Sequence, residues 1–228
     1  MKKLFLLLFL GFTLVGFSQT TLIPDPNFEQ ALIDLGYDTA PINGSVPTAN
    51  ISSVTQLGVN DKNISDLTGI EDFTALTYLD CRDNQLTSLD VSGATALTYL
   101  YCTNNQLTSL DVSDATALIT LYCDFNQLTS LDFSGANALT TLFCGYNPLT
   151  SLDLSGATAL TLLFCEDNQL TSLDLSNNTA LNAFFCYRNQ LTSLDLRSGN
   201  NEALTKISAQ ENPNLTCIYV DNADYMNA

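Results

Sequence analysis

The sequence contains no histidine and no tryptophan, and it has only 7 lysines and arginines against 24 aspartates and glutamates. Histidine is the usual general base at neutral pH and the commonest metal ligand, so its absence excludes a Ser-His-Asp triad, a Cys-His pair and a histidine-bearing zinc site. The formal net charge of -17 repels nucleic acids and anionic lipid head groups. We therefore expect neither as a partner.

Long hydrophobic runs are also scarce. Two lysines precede an apolar segment from Leu4 to Val15, and small residues follow it. This segment is shorter than the roughly 20 residues that cross a bilayer, and no later stretch is long enough. Residues 1–19 are therefore predicted to be a cleaved secretory signal peptide, and the mature protein is expected to be secreted or at the cell surface.

Cysteine, in contrast, recurs regularly. Six of the 7 cysteines are spaced by 21 residues, and a fixed period of this size is typical of a solenoid. Each copy follows the pattern L-x-x-L-x-C-x-x-N-x-L-x-x-L-D, as from Leu76 to Asp90. The six cysteines of the pattern are Cys81, Cys102, Cys123, Cys144, Cys165 and Cys186.

The alternation of inward and outward side chains within each copy predicts a short strand with one buried face. Leu79 and Cys81 point to one side, and Tyr78, Asp80 and Arg82 point to the other. A single copy cannot bury its leucines alone, but stacked copies can, so we expect a parallel sheet of about eight turns. The asparagine that ends each strand is expected to satisfy backbone groups at the following turn.

The repeated pattern resembles the leucine-rich repeat family, with cysteine at the third apolar strand position. An earlier copy, from Val54 to Phe73, is similar to an internalin-type repeat. The resemblance, which is to secreted bacterial members of the family, implies a solenoid over 51–220. One face would be a curved parallel β-sheet, and the other would consist of turns or short 3-10 segments. Relatives often continue into a sorting domain, so a truncated C-terminal tail is one expectation for 221–228.

Residues 20–50 are predicted to cap the open front of the solenoid. Asp25 suits a helix N-cap, Pro26 suits the first helical position, and Gly36 can end the helix. The sequence of this segment also resembles the caps of secreted bacterial leucine-rich repeat proteins.

The outward strand positions carry a row of aromatic residues, flanked by mixed charges. Aromatic side chains dominate interface energetics, so this face is the predicted binding surface, although ring stacking that only stabilises the sheet is an equal alternative. The proposed ligand-binding residues are Tyr78, Tyr99, Tyr101, Tyr122, Phe143, Phe164, Phe185, Arg82, Asp124, Phe125, Tyr146, Glu166, Tyr187 and Arg188.

Cysteine and aspartate also recur at fixed positions of successive copies, and each of these two columns of residues could have a chemical role. The cysteine column lacks the clustered spacing of a metal site, so buried thiols are expected, with pairwise disulfides as the alternative. The aspartate column, from Asp90 to Asp195, is expected to accept hydrogen bonds from its turns, with bound cations such as Ca²⁺ as the alternative. No metal site and no cofactor are predicted.

The resemblance and the aromatic face together favour a non-catalytic recognition or adhesion protein with an extracellular protein partner. A polysaccharide-binding module on the same face and a structural spacer are the alternatives. A paired-carboxylate glycosidase is disfavoured, because the acidic residues fall in repeat columns and form no unique pair.

Overall fold

The computed structural model describes residues 19–222. Most of the predicted leader and residues 223–228 of the predicted tail lie outside the described residues.

The segment before the repeats contains two short strands and two helices. Strand β1 (Thr20–Leu22) pairs antiparallel with β2 (Ser45–Pro47), and helices α1 (Pro26–Asp34) and α2 (Thr48–Ile51) complete it. The side chain of Asp25 caps α1 by accepting hydrogen bonds from the backbone N–H groups of Asn27 and Phe28. Gly36, with φ of 80°, follows the helix in the left-handed conformation.

This segment packs on the first repeat through its apolar helix face. The buried Phe28 ring lies 6.5 Å from the ring of Phe73, measured between centroids. The second carboxylate oxygen of Asp25 accepts hydrogen bonds from the backbone N–H and the hydroxyl of Ser65. Burial opposes ionisation, but the hydrogen bonds to Ser65, Phe28 and Asn27 outweigh it and lower the pKa of Asp25.

The repeats form a parallel eight-stranded sheet with one strand from each turn, as the sequence predicts. Neighbouring turns are in register, so that Leu121, Leu142 and Leu163 stand side by side. The strands in spatial order are β3 (Gln56–Gly58), β4 (Tyr78–Asp80), β5 (Tyr99–Tyr101), β6 (Thr120–Tyr122), β7 (Thr141–Phe143), β8 (Leu162–Phe164), β10 (Ala183–Phe185) and β12 (Lys206–Ser208).

In the last turns, the residues at the aspartate column also become strands, and these form a second parallel sheet. Its strands are β9 (Ser172–Asp174), β11 (Ser193–Asp195) and β13 (Cys217–Tyr219), in that order. β13 is an edge strand, as the apolar run after Cys217 indicates. The pairing of β13 with β11, and the separate sheet it belongs to, are not visible in the repeat pattern.

The interior is a single stack built mainly of leucines and cysteines. In the central turn, Leu139, Leu142, Cys144 and Leu149 are each 0% exposed. A 21-residue turn has no room for a regular helix opposite the sheet, and turns occupy most of that side, with 3-10 segments at Ile70–Asp72 and Asn201–Ala203.

The turns opposite the sheet approach one another closely. A Cβ atom on Gly135 would lie 1.8 Å from the carbonyl oxygen of Ser113, in the preceding turn. Contact with the neighbouring backbone therefore requires glycine at residue 135. Within residues 19–222, no helix has the length and apolarity to cross a membrane.

Candidate functional site

The outward positions of the main sheet form two rows of side chains. One row runs Tyr101, Tyr122, Phe143, Phe164 and Phe185, and the parallel register places each ring beside the next. Tyr78 and Tyr99 begin the row beside it. We call these seven residues the aromatic stripe.

The rings of the stripe face away from the core. Tyr99 is 39% exposed and the other rings are partly exposed, whereas the leucines between them are fully buried. Thr120 and Ala183, which share this face, are buried. The prediction that the rings lie on the open face and the leucines in the interior is confirmed by this burial pattern.

The phenylalanines stack face to face along the sheet. Ring centroids are 4.2 Å apart for Phe143 and Phe164, and 4.4 Å apart for Phe164 and Phe185, with interplanar angles of 14° and 10°. Tyr122 lies 4.2 Å from Phe143 at an angle of 39°. Because the ring faces contact each other, the phenylalanine stack presents ring edges to a ligand.

Both arginines predicted to flank the stripe are engaged within the chain. The Arg82 guanidinium donates to both carboxylate oxygens of Asp80, at 2.9 and 2.7 Å, and lies 5.4 Å from the Tyr101 ring centroid. Arg188 donates to Glu211 at 3.0 Å and lies 3.7 Å from Asp167. The charges of Arg82 and Arg188 are therefore neutralised by carboxylates of the same chain.

Asp124 and Glu166 lie two turns apart beside the stripe and have a different environment. Among the ion pairs of residues 19–222, none includes either carboxylate. Asp124 accepts a hydrogen bond from the Thr103 hydroxyl at 2.8 Å, while Oε2 of Glu166 is shielded from solvent without a hydrogen-bond donor. Burial raises the pKa of both groups, and the charge of Asp124 raises that of Glu166 further.

Phe125 and Tyr146, which follow strands β6 and β7, form a further pair of stacked rings. Their rings stack at 4.2 Å with an interplanar angle of 9°, and Phe125 is 48% exposed. Both residues have left-handed backbone conformations, with φ of 53° and 52°. Asp83, Asn104 and Asp167 occupy this position in other turns and tolerate the conformation better, whereas Arg188 and Glu211 adopt it without that preference.

The cysteine column is a row of buried free thiols, and no disulfide is formed among the cysteines of residues 19–222. Desolvation raises the pKa of these thiols, to about 12 at Cys186. Each strand-ending asparagine bonds the carbonyls around it. Asn126 donates to the carbonyl oxygens of Cys102 and Cys123 and accepts from the backbone N–H of Leu107 at 2.9 Å.

The aspartate column is satisfied by its own turns. Asp111 accepts hydrogen bonds from the backbone N–H and hydroxyl of Ser113, which lower its pKa. Asp195 is held by Arg197 in the same way, with a lowered pKa. The described part of the chain contains no cluster of three or more cysteine, aspartate or glutamate side chains that could hold a metal ion.

The repeat pattern alone does not reveal the role of Asp80 and Gly145. Asp80 occupies the first place of the aromatic row and holds Arg82. Gly145 lies between Asp124 and Glu166 in the column that follows the cysteines, and the Glu166 side chain lies against it. A column-by-column reading would identify Gly145 as the single glycine at this position.

Comparisons with known proteins agree with this architecture. A family model for leucine-rich repeats, in two copies, matches residues 74–115. A search of curated protein sequences gives no match.

Similar solved structures include an internalin C2 from Listeria monocytogenes, with 22% identity and a TM-score of 0.68, covering 90% of this chain and 92% of that one. An internalin InlF from the same organism has 22% identity and a TM-score of 0.58, covering 87% of this chain and 76% of that one. The functional domain of Listeria InlJ, which includes a cysteine ladder, has 26% identity and a TM-score of 0.39. The match covers 87% of this chain and 63% of that domain.

Proposed function

We propose that this leucine-rich repeat solenoid is a non-catalytic recognition or adhesion protein that binds an extracellular protein through the aromatic stripe. The observation that carries the proposal is the unbroken row from Tyr101 to Phe185, whose rings lie on the open face of the sheet. Fold alone does not assign this function, so the argument depends on the chemistry of that face.

An open sheet face needs only polar residues to remain soluble. Threonine at Thr120 and Thr141 shows that the scaffold accepts such residues on the same strands. A contiguous exposed row of rings is typical of protein interfaces, where tyrosine and phenylalanine supply rigid contact area at low entropic cost. Stacked solenoid turns also present an extended surface that a partner can cross.

The ring geometry favours a protein partner over a polysaccharide. Sugars stack on aromatic faces, and the faces of Phe143 and Phe164 are taken up by neighbouring rings. Ring edges remain, and they form an apolar surface on which aliphatic side chains can pack. Polysaccharide binding on this face is therefore the less supported alternative.

The location outside the cytosol is part of the same proposal. It depends on the basic and apolar segment of residues 1–19, which has the pattern of a secretory signal peptide. Detection of the protein in the culture medium or at the cell surface, shortened by this segment, would support export.

The test is a triple substitution of Tyr122, Phe143 and Phe164 to serine. Binding to a partner isolated from surface extracts should fall more than about 100-fold, because central aromatic residues contribute most to interface energy. The matched control changes Thr95 and Asn137, on the opposite turns, to serine and should bind normally. Full affinity in a folded triple variant would refute the proposed face.

Glycan arrays separate the alternatives. Binding to a polysaccharide that the triple substitution abolishes would replace the protein partner with a sugar chain. If neither surface proteins nor glycans bind, the proposed recognition role fails and the structural spacer is the alternative that is left.

A further inference from the structure

The position that follows the repeated cysteine holds a different residue in each turn. The residue after each cysteine is Arg82, Thr103, Asp124, Gly145, Glu166 and Tyr187 in successive turns. The only two carboxylates of this column flank its only glycine. The next position holds the ring pair Phe125 and Tyr146 in the same turns as Asp124 and Gly145.

The ring pair is maintained against a backbone preference. A left-handed conformation is unfavourable for an L-residue, and Asn104 and Asp167, which tolerate it better, occupy this position in the flanking turns. Strain of this kind is concentrated at functional sites. Phe125 and Tyr146 share this strain with Arg188 and Glu211, and they are the two aromatic residues at this position.

Gly145 allows the Glu166 side chain to lie flat on the sheet. An added Cβ atom on Gly145 would be 3.0 Å from Cδ and 3.2 Å from Oε1 of Glu166. The backbone of Gly145 has a negative φ, so the small residue is needed for this contact rather than for its conformation. The Glu166 carboxylate is thereby held in the same column as Asp124.

Neither carboxylate forms an ion pair within residues 19–222, although the charge of Arg82 opposes the rise in the pKa of Asp124. The nearest arginine along the column, Arg82, is held by Asp80 through two hydrogen bonds, and Arg188 is held by Glu211. Oε2 of Glu166 is buried without a donor, although buried carboxylate oxygens are normally paired. Negative charge beside an apolar stripe is complementary to a basic segment that also carries apolar side chains.

We propose that the aromatic stripe docks a basic segment of a partner protein and that an arginine or lysine of that segment binds between Asp124 and Glu166, above Gly145. The apolar stem of that side chain packs on the edges of Phe143 and Phe164, and its charged head donates to the two carboxylates. Phe125 and Tyr146 border the site on the side where the strands turn outward.

This inference rests on the proposed function, and a random dodecapeptide library tests it while the partner protein is still unidentified. Peptides selected on the wild-type protein should be enriched in arginine or lysine next to apolar residues. A resynthesised peptide with citrulline in place of arginine keeps the shape and loses the charge. Its affinity should fall at least about 30-fold, the effect of removing one partner of a desolvated charge pair.

The matched variants are D124N/E166Q and D132N/D153N, which remove the same net charge from two different columns. The first should weaken the arginine peptide at least about 30-fold, and the second less than about threefold. G145A, which displaces the Glu166 carboxylate, should also weaken the arginine peptide and leave the citrulline peptide unchanged. Circular dichroism checks that each variant is folded.

Each outcome decides one of the two proposals. If D124N/E166Q binds the arginine peptide normally while the aromatic triple variant does not, the aromatic face stands and the basic subsite is wrong. If both double variants lose equal affinity, only overall charge matters and the subsite is also wrong. If selection yields no basic peptides, the inference fails. If the aromatic triple variant binds every selected peptide normally, both proposals fail.

Discussion

Leu142 and Phe143 are adjacent in sequence and lie on opposite faces of strand β7. Leu142 is fully buried, whereas the Phe143 ring is partly exposed and lies 4.2 Å from the Phe164 ring. The same division recurs along the central strands of the sheet, so one face of each strand supplies stability and the other remains open to a ligand.

Substitutions at these two residues should therefore have different effects on stability. Leu142→Ala leaves a cavity in the core and is expected to lower the free energy of unfolding by about 2–5 kcal/mol. Phe143→Ala removes two ring contacts worth about 0.5–1.5 kcal/mol each and should cost less than Leu142→Ala. Urea unfolding measures both. An equal loss would indicate that the ring contributes to the core.

The asparagine column should be more important for stability than any exposed polar residue. Asn126→Ala leaves buried backbone groups of Leu107, Cys102 and Cys123 without partners and is expected to cost about 3 kcal/mol or more. The control is Asn137→Ala, at an exposed turn, which should change stability by less than about 0.5 kcal/mol. Similar values for both variants would contradict this role.

The buried thiols should be unreactive in the folded protein. Burial raises the pKa of Cys102, Cys123 and Cys165 well above the ordinary value, so little thiolate is present at pH 8. Only Cys217, which is partly exposed, should react quickly with a disulfide reagent. All 7 cysteines should react after denaturation. Fast reaction of two or more thiols in the native protein would contradict the buried column.

Glu166→Gln should stabilise the protein at neutral pH. The folded pKa of Glu166 lies above its ordinary value of 4.5, so the folded state holds a proton more tightly than the unfolded chain. Stability is consequently lost as pH rises from the ordinary pKa through the raised pKa, and the glutamine removes this loss. The difference in stability between the variant and the wild type should disappear below about pH 4.

Asp153→Asn provides the control of opposite sign. Hydrogen bonds from Ser155 lower the pKa of Asp153, so its carboxylate contributes stability above the ordinary pKa of 3.8 that is lost as pH falls through the folded pKa. The asparagine variant should be less stable than wild type at neutral pH. Unfolding midpoints in urea across the pH range measure both variants, and a lower midpoint for Glu166→Gln at pH 7 would refute the argument.

Phe125→Asn should preserve stability while it removes an exposed ring. Asparagine tolerates the left-handed backbone, and this gain offsets the lost stack with Tyr146, so a change within about 1 kcal/mol is expected. The matched substitution is Phe133→Asn, in the core, where a loss above about 3 kcal/mol is expected. A loss at Phe125 as large as that at Phe133 would show that the ring is structural.

Much of the architecture follows from the sequence because stacking repeats one local pattern. The alternation around Leu142 fixes which side chains are buried, and the regular spacing brings equivalent residues into register. The same reasoning anticipates that Asp111 is held by Ser113, two residues away, since this contact lies within one turn.

Features that depend on contacts between turns could not be predicted in this way. The neighbouring rings decide the orientation of the Phe164 ring. The alternation of residues along a strand does not predict side-chain torsion angles. The environment of Glu166 depends on the missing side chain of Gly145, one turn earlier. The second sheet forms at the last turns, whereas the same segment of earlier turns shows only an isolated bridge between Asp111 and Asp132.

Because each of these asparagines bonds carbonyl groups of its own turn and one of the turn before, the internal junctions of the solenoid share one hydrogen-bond pattern. Asn105 meets Cys81 as Asn126 meets Cys102. Deletion or duplication of one complete copy would therefore restore these hydrogen bonds, while core residues that differ between copies, such as Val112 and Phe133, would contact new neighbours. Such a scaffold can lengthen or shorten during evolution while new combinations of surface residues are sampled on the same hydrogen-bonded framework.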